Sequence, residues 1–177
     1  GRSAPLQCEA EDPALPLAEQ FDLQRARARL AQCLQRLQAL PHGDLRDKAM
    51  GKEAREPTSS ELAEMERLAE QAMRDGAWGM STGLIYVPGT YSKTEEIVAV
   101  AKVVGRHGGI YASHIRNEGV ELLTAVEEAL RIGRDGGLPV HVSHFKASGR
   151  SSWGSLHIAA ELIEKERANG RRVTADQ

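Results

Sequence analysis

Cysteine is scarce in this chain. Cys8 and Cys33 are the only two in 177 residues, too few and too scattered for a disulfide framework or a structural zinc module, and they read as reduced thiols of a cytoplasmic protein. Positive charge is not in excess: 23 Lys and Arg stand against 25 Asp and Glu, a net charge of -2, so the basic footprint of a nucleic-acid binder is missing. Long apolar runs are missing too. The most apolar stretch, Ile97 to Ala101, is interrupted by Lys102, far short of the roughly 20 residues needed to cross a bilayer. Residues 1–7 contain no apolar core of a secretory signal. No G-x-G-x-x-G or G-x-x-x-x-G-K-[ST] pattern follows a strand-like segment, which removes the usual signatures of nucleotide-phosphate binding. Neither nucleic acid nor a membrane is an expected partner, while self-association is left open.

What remains is globular material: 41% hydrophobic and 27% charged residues, in a length suited to one domain. Residues 1–41 stand apart from the rest. A Pro- and acid-containing opening leads into a segment where Leu23, Leu30, Leu34 and Leu37 recur at roughly helical spacing, predicting a divergent helical segment before a main region at 42–177. Pro41-His-Gly-Asp44 reads as a turn. Thr58-Ser-Ser-Glu61 has capping-box form and precedes Leu62, Met65, Leu68, Ala69 and Ala72 on one helical face, with Gly76 as the stop. A second such box, Ser92-Lys-Thr-Glu95, opens a helix lined by Ile97, Val100, Ala101 and Val104 and closed at Gly105. A third helix carries Leu122, Leu123, Val126, Ala129, Leu130 and Ile132 and ends at Gly133, and a fourth carries Leu156, Ala159, Ala160 and Ile163 and ends at Gly170.

Short apolar segments beginning near residues 77, 109, 138 and 171 alternate with these helices. Their recurrence at intervals of about 30 residues is the rhythm of βαβ units and a parallel sheet. About four such units are too few for an eight-stranded barrel, which leaves a small open doubly wound sheet or part of a barrel. The last residue, Gln177, directly follows a strand-terminal Asp176, and this favours part of a barrel.

Working groups of parallel α/β folds collect at the carboxyl ends of the strands. Here those ends offer Ser81 and Thr82, then Ser113-His114-Ile-Arg116-Asn-Glu118, then Ser143-His144-Phe-Lys146, then Asp176. Neighbouring strands lie about 4.8 Å apart, so His114 and His144 at adjacent strand ends can reach one metal ion, and either imidazole is also a candidate general base. Lys146 could meet a substrate carboxylate as a point charge. Tyr86 and Arg116 are pocket or surface residues by the same reasoning. His141 is predicted to lie lower on the same face without a polar neighbour, and His107 and His157 at a helix end and on a helix surface.

Together, Gly76-Ala-Trp-Gly-Met-Ser-Thr-Gly-Leu-Ile-Tyr86, Gly109-Ile-Tyr-Ala-Ser-His-Ile-Arg-Asn-Glu118, Pro139-Val-His-Val-Ser-His-Phe-Lys146 with Gly149 and Trp153-Gly154, and Val173-Thr-Ala-Asp-Gln177 resemble the N-acyl-D-amino-acid deacylases (D-aminoacylases) of the amidohydrolase superfamily. The resemblance covers about residues 42–177. It implies part of a (β/α)8 TIM barrel of the metal-dependent amidohydrolase type, with Zn2+ as cofactor and an N-acyl-D-amino acid as substrate, hydrolysed to a carboxylate and a D-amino acid. By the same resemblance His114 and His144 match zinc ligands, Lys146 the lysine that receives the substrate carboxylate, and Tyr86 a tyrosine near the substrate pocket. The family's early His-x-His motif, its ligand cysteine and its general-base Asp find no match here, since Asp176 belongs to the preceding strand. The isolated chain is therefore expected to show little turnover. Two other readings are a cyclic-amide amidohydrolase of the hydantoinase or dihydroorotase kind, and a non-catalytic α/β module derived from the barrel.

Overall fold

Each strand of the sheet but the last is followed by helix, and the apolar stripes of the helices return to cover the sheet. In the computed structural model, which describes residues 39–177, the order is β1 (Leu40–Pro41), α1 (His42–Met50), α2 (Ser59–Arg74), β2 (Gly79–Gly83), α3 (Thr94–Arg106), β3 (Ile110–His114), α4 (Leu122–Gly136), β4 (Val140–Val142), α5 (Leu156–Ala168) and β5 (Val173–Ala175), with short 3-10 turns at Gly89–Tyr91 and Arg150–Ser155. All pairings are parallel and consecutive strands are neighbours, in the order β1-β2-β3-β4-β5. A doubly wound sheet reverses its strand order at a switch point. This sheet has no reversal, so it is wound in one sense like the wall of a barrel.

Strand alternation sorts the residues onto two faces. Met80, Thr82, Tyr111, Ser113, Val140, Val142 and Val173 are buried, whereas the intervening Ser81, Gly83, Ala112, His114 and His141 are only half-buried. The buried face meets Met65, Ala69 and Met73 of α2, Ile97, Val100 and Val104 of α3, Val126, Ala129 and Leu130 of α4, and Ile163 of α5 in one core. Thr82, Tyr111 and Ser113 place hydroxyls in that core and satisfy one another at 2.8 to 3.1 Å. Burial pushes the Tyr111 phenol up to about 12 despite these hydrogen bonds.

Several local expectations hold. Thr58 caps α2 through a complete capping box with Glu61, and Gly76 and Gly170 take positive φ just beyond α2 and α5. His107 caps the end of α3, and His157 is exposed on α5. Others are corrected. Ser92 does not cap α3: its N–H donates to the Gly89 carbonyl and its own carbonyl accepts from Arg116, so it belongs to the preceding turn and the helix starts at Thr94. Gly133 lies inside α4 rather than at its end, at a position where a Cβ would come within 2.1 Å of Val140 Cγ2. The helix runs on to Gly136, which packs tightly against Ala101 of α3. His42 opens helix α1 instead of a turn, and β1 joins the sheet beside β2. The helix expected within residues 1–41 lies, up to residue 38, outside the described residues, as do Cys8 and Cys33.

Candidate metal centre

The half-buried face carries the chemistry at the carboxyl ends of β3 and β4. His114 is the last residue of β3 and pairs in register with Gly83 of β2. Because Gly83 has no side chain, Tyr86 folds over it, and a Cβ at that position would lie 3.1 Å from Tyr86 Cδ2. The Tyr86 ring then meets the His114 imidazole edge-on at 5.2 Å. Tyr86 is otherwise exposed. A cleft of about 290 Å³ opens beside it, bounded by Ser81, Thr82, Gly83 and Pro41 to Asp44.

His144 lies two residues beyond β4 and takes a positive φ of 40°, a conformation that costs a non-glycine residue about 1–3 kcal/mol unless its surroundings hold it. Asp176, just past β5, supplies that hold. Its carboxylate accepts the His144 N–H, its carbonyl accepts the Phe145 N–H at 2.7 Å, and its own N–H donates to Val142. The His144 N–H bond, assisted by His141, keeps the Asp176 carboxyl below the usual carboxylate range against a smaller opposing effect of desolvation. The consequence is that the imidazoles of His114 and His144 meet edge-on with centroids 4.3 Å apart.

Glu118, four residues after His114, completes the cluster. Its Oε1 lies 2.8 Å from His144 Nδ1 and 3.9 Å from His114 Nδ1, with the side chain 11% exposed. Lys146 Nζ donates to Glu118 Oε1 at 2.6 Å and lies 2.9 Å from His144 Nδ1. Burial alone would push the Glu118 carboxyl up; the hydrogen bond from Lys146 and the nearby charges outweigh it and leave it lowered. Donor atoms of His114, Glu118 and His144 lie within 4.8 Å of one another. Two imidazoles and a carboxylate are a donor set that zinc accepts.

The structure thus brings His114, His144, Lys146 and Tyr86 together. Arg116 is drawn away from the site: it grips Glu128 with two hydrogen bonds and the carbonyls of Thr90 and Ser92, bracing the loop after β2. His141 corrects another expectation, since it faces the cleft side with polar partners, Thr174 Oγ1 at 2.8 Å and Asp176 at 3.5 Å. Sequence reasoning did not single out Glu118 or the bracing role of Asp176. The i, i+4 spacing of His114 and Glu118 was the available signal for the first. The second needs the pairing of β4 with β5.

A singly wound parallel sheet with imidazoles, a carboxylate and a lysine at its strand ends has the form of part of a (β/α)8 barrel wall with its polar groups gathered at the carboxyl ends of the strands. No family model matches the chain. Among characterised proteins it is 44% identical over 123 residues to a D-aminoacylase of Alcaligenes xylosoxydans xylosoxydans, covering 70% of this chain and 25% of the relative. It is also 38% identical over 135 residues to an N-acyl-D-glutamate deacylase of the same organism, covering 76% and 28%. Among solved structures, an N-acyl-D-glutamate deacylase of Bordetella bronchiseptica, complexed with zinc and a phosphonate inhibitor, superposes with a TM-score of 0.73 at 36% identity over 76% of this chain and 28% of its own. A D-aminoacylase described as defining a novel subset of amidohydrolases gives 0.72 at 40% identity with the same coverage. Over its matched part the chain is homologous to the N-acyl-D-amino-acid deacylases of the amidohydrolases. The chain spans about a quarter of the length of the relatives it matches.

Proposed function

We propose that this chain carries part of the catalytic barrel of a zinc-dependent hydrolase that cleaves the amide of N-acyl-D-amino acids. In this reading residues 42–177 are the barrel portion and residues 1–41 a divergent N-terminal segment, in a cytoplasmic protein. His114 and His144 hold the zinc, Lys146 receives the substrate carboxylate, and Tyr86 flanks the pocket. The carrying observation is the convergence of the two imidazoles, 4.3 Å apart, with the Lys146 ammonium beside them.

When bound, zinc supplies Lewis-acid polarisation of the amide carbonyl and lowers the pKa of a water. The chain's own residues supply placement. Tyr86 fixes the plane of His114 by its edge contact, and Asp176 fixes the unusual backbone of His144. Lys146 sets a positive charge two residues from His144, so an open-chain substrate with a free carboxylate is oriented with that carboxylate on the ammonium. Asp176 is engaged with the His144 backbone, and no described residue is assigned the role of general base. The chain alone is expected to bind substrate with little turnover.

Calorimetric titration of the zinc-loaded chain with N-acetyl-D-amino acids tests this reading. Binding of the D but not the L enantiomer, lost in Lys146→Met, is the expected result. Binding of a cyclic amide such as a hydantoin in preference to any open-chain carboxylate would overturn it in favour of the cyclic-amide class.

A further inference from the structure

The loop after β2 carries an exposed tip between two fixed points. At one end Leu84 is buried and its N–H donates to the His114 carbonyl at 3.1 Å. At the other, Gly89 is buried so close to the Gly83 carbonyl that a Cβ would come within 2.7 Å of its oxygen. Between them Ile85, Tyr86 and Val87 are 43%, 61% and 53% exposed. Side chains left in water contribute little burial to hold a segment, and such tips belong to the easily opened part of a fold. The Tyr86 ring nevertheless stands edge-on to His114, so its place is set largely through the backbone of the loop.

That backbone is held from outside the loop. The Tyr86 carbonyl accepts the Thr90 N–H at 2.8 Å, and the Thr90 and Ser92 carbonyls accept from Arg116 Nη1 and Nη2 at 3.1 and 2.8 Å. The remaining face of the guanidinium donates to both oxygens of Glu128 on α4, at 2.8 and 2.9 Å. Glu128 in turn accepts Thr94 Oγ1 at the start of α3, at 2.8 Å. One planar fork thus joins the loop to two helices, a task that needs its several fixed donor directions. Arg116 lies two residues past His114, so the segment that presents the imidazole also grips the loop that presents the tyrosine.

Resting on the reading that Tyr86 flanks the substrate pocket, we infer that Arg116 is a positioning residue for Tyr86: braced by Glu128, its guanidinium clasps residues 84–92 so that the ring stands beside His114 before substrate arrives. The loop is then already ordered in the free chain, and substrate binding does not bear that cost. Loss of the clasp frees the tip and weakens capture of substrate.

Chymotrypsin cleavage of the full 177-residue chain, followed by mass spectrometry, reads the clasp without metal or substrate. Arg116→Gln is expected to raise cleavage after Tyr86 and Tyr91 by about tenfold. Cleavage after Trp153, exposed on the loop after β4, and after Tyr111, buried in the core, should stay at the wild-type rate. Glu128→Gln should give the same pattern, and Arg116→Lys, which keeps the charge without the fork, should recover little of it. An equal rise at all four sites would make Arg116 a support of the whole fold; no rise, or full recovery in Arg116→Lys, would show that the loop is held without the fork. Each of these overturns the inference. The link to substrate is read by calorimetry of the zinc-loaded chain with N-acetyl-D-amino acids. Arg116→Gln should weaken binding by about tenfold, and that loss should vanish in a Tyr86→Ala background, because the arginine acts through the tyrosine. The same loss in both backgrounds would overturn the link. A wild type that binds no N-acetyl-D-amino acid would overturn the pocket reading and the substrate role with it, while the cleavage pattern decides the clasp by itself.

Discussion

Two clusters in this chain are built from the same parts and behave oppositely. Each has a histidine, a glutamate and a cation. In the first, His42 and Arg46 of α1 meet Glu96 of α3 at 3.2 and 2.6 Å with every side chain at most 3% exposed. In the second, His114 and His144 meet Glu118 and Lys146 at the open end of the sheet. The choice of cation separates them. Arg46 spreads its fork over Glu96 and the backbone carbonyls of Glu53 and Arg55, so it is locked in several directions at once and holds α1 and the following loop onto α3. Lys146 is a single point charge on Glu118, with its side chain 44% exposed to solvent. A buried guanidinium makes a joint, and a half-exposed ammonium leaves its carboxylate at the solvent edge.

The largest test of that contrast is Arg46→Ala. Removing one partner leaves a buried carboxylate uncompensated, and a loss of about 3–5 kcal/mol is expected in urea denaturation. A loss below about 1 kcal/mol would put both clusters in the same class. Next comes the acid limb of stability. Burial pushes the Glu96 carboxyl up, but the hydrogen bonds and charges of His42 and Arg46 outweigh it and leave it below its ordinary 4.5. A depressed carboxyl contributes fully above its unfolded value and loses that contribution as pH falls through its folded one. Glu96→Gln should therefore flatten the stability profile on the acid side of about pH 4.5, as followed by denaturant midpoints across pH; an unchanged slope there would contradict the pairing.

Lys146→Met is expected to change stability by no more than about 1 kcal/mol, the reverse of Arg46→Ala, because its side chain is 44% exposed. A larger loss on denaturation would make Lys146 structural. The smallest effect belongs to a fully solvated pair, Arg67 and Glu64 on α2. Arg67→Ala should leave the thermal midpoint within experimental scatter, and a clear shift would show that exposure is not what separates the clusters.

The same contrast explains which features were legible in the sequence. Helices α2 to α5 bury alternate turns of Leu, Ile, Val, Met and Ala, and the strands between them follow the βαβ rhythm, so apolar periodicity suffices to find them. Helix α1 buries His42 and Arg46 along with Leu45 and Met50. Arg46 pairs with Glu96, fifty positions away, and His42 lies 3.2 Å from the same carboxylate; no local pattern announces a partner at that distance. β1 is two residues long, too short to show alternation. At the site, His114, His144 and Lys146 stand out because they sit at strand ends, where parallel folds collect chemistry. Glu118 is announced only by its i, i+4 spacing from His114, and the bracing role of Asp176 becomes visible only through the pairing of β4 with β5. His141 gained its partner the same way, through the register that sets it opposite Thr174.

The claim that the mouth of the sheet is a metal centre is tested most directly by counting zinc in the purified chain by elemental analysis, beside His114→Ala and His144→Ala. One zinc per chain, lost in each folded variant, is the predicted result. A chain that holds no zinc, or holds it equally well without either histidine, would contradict the account.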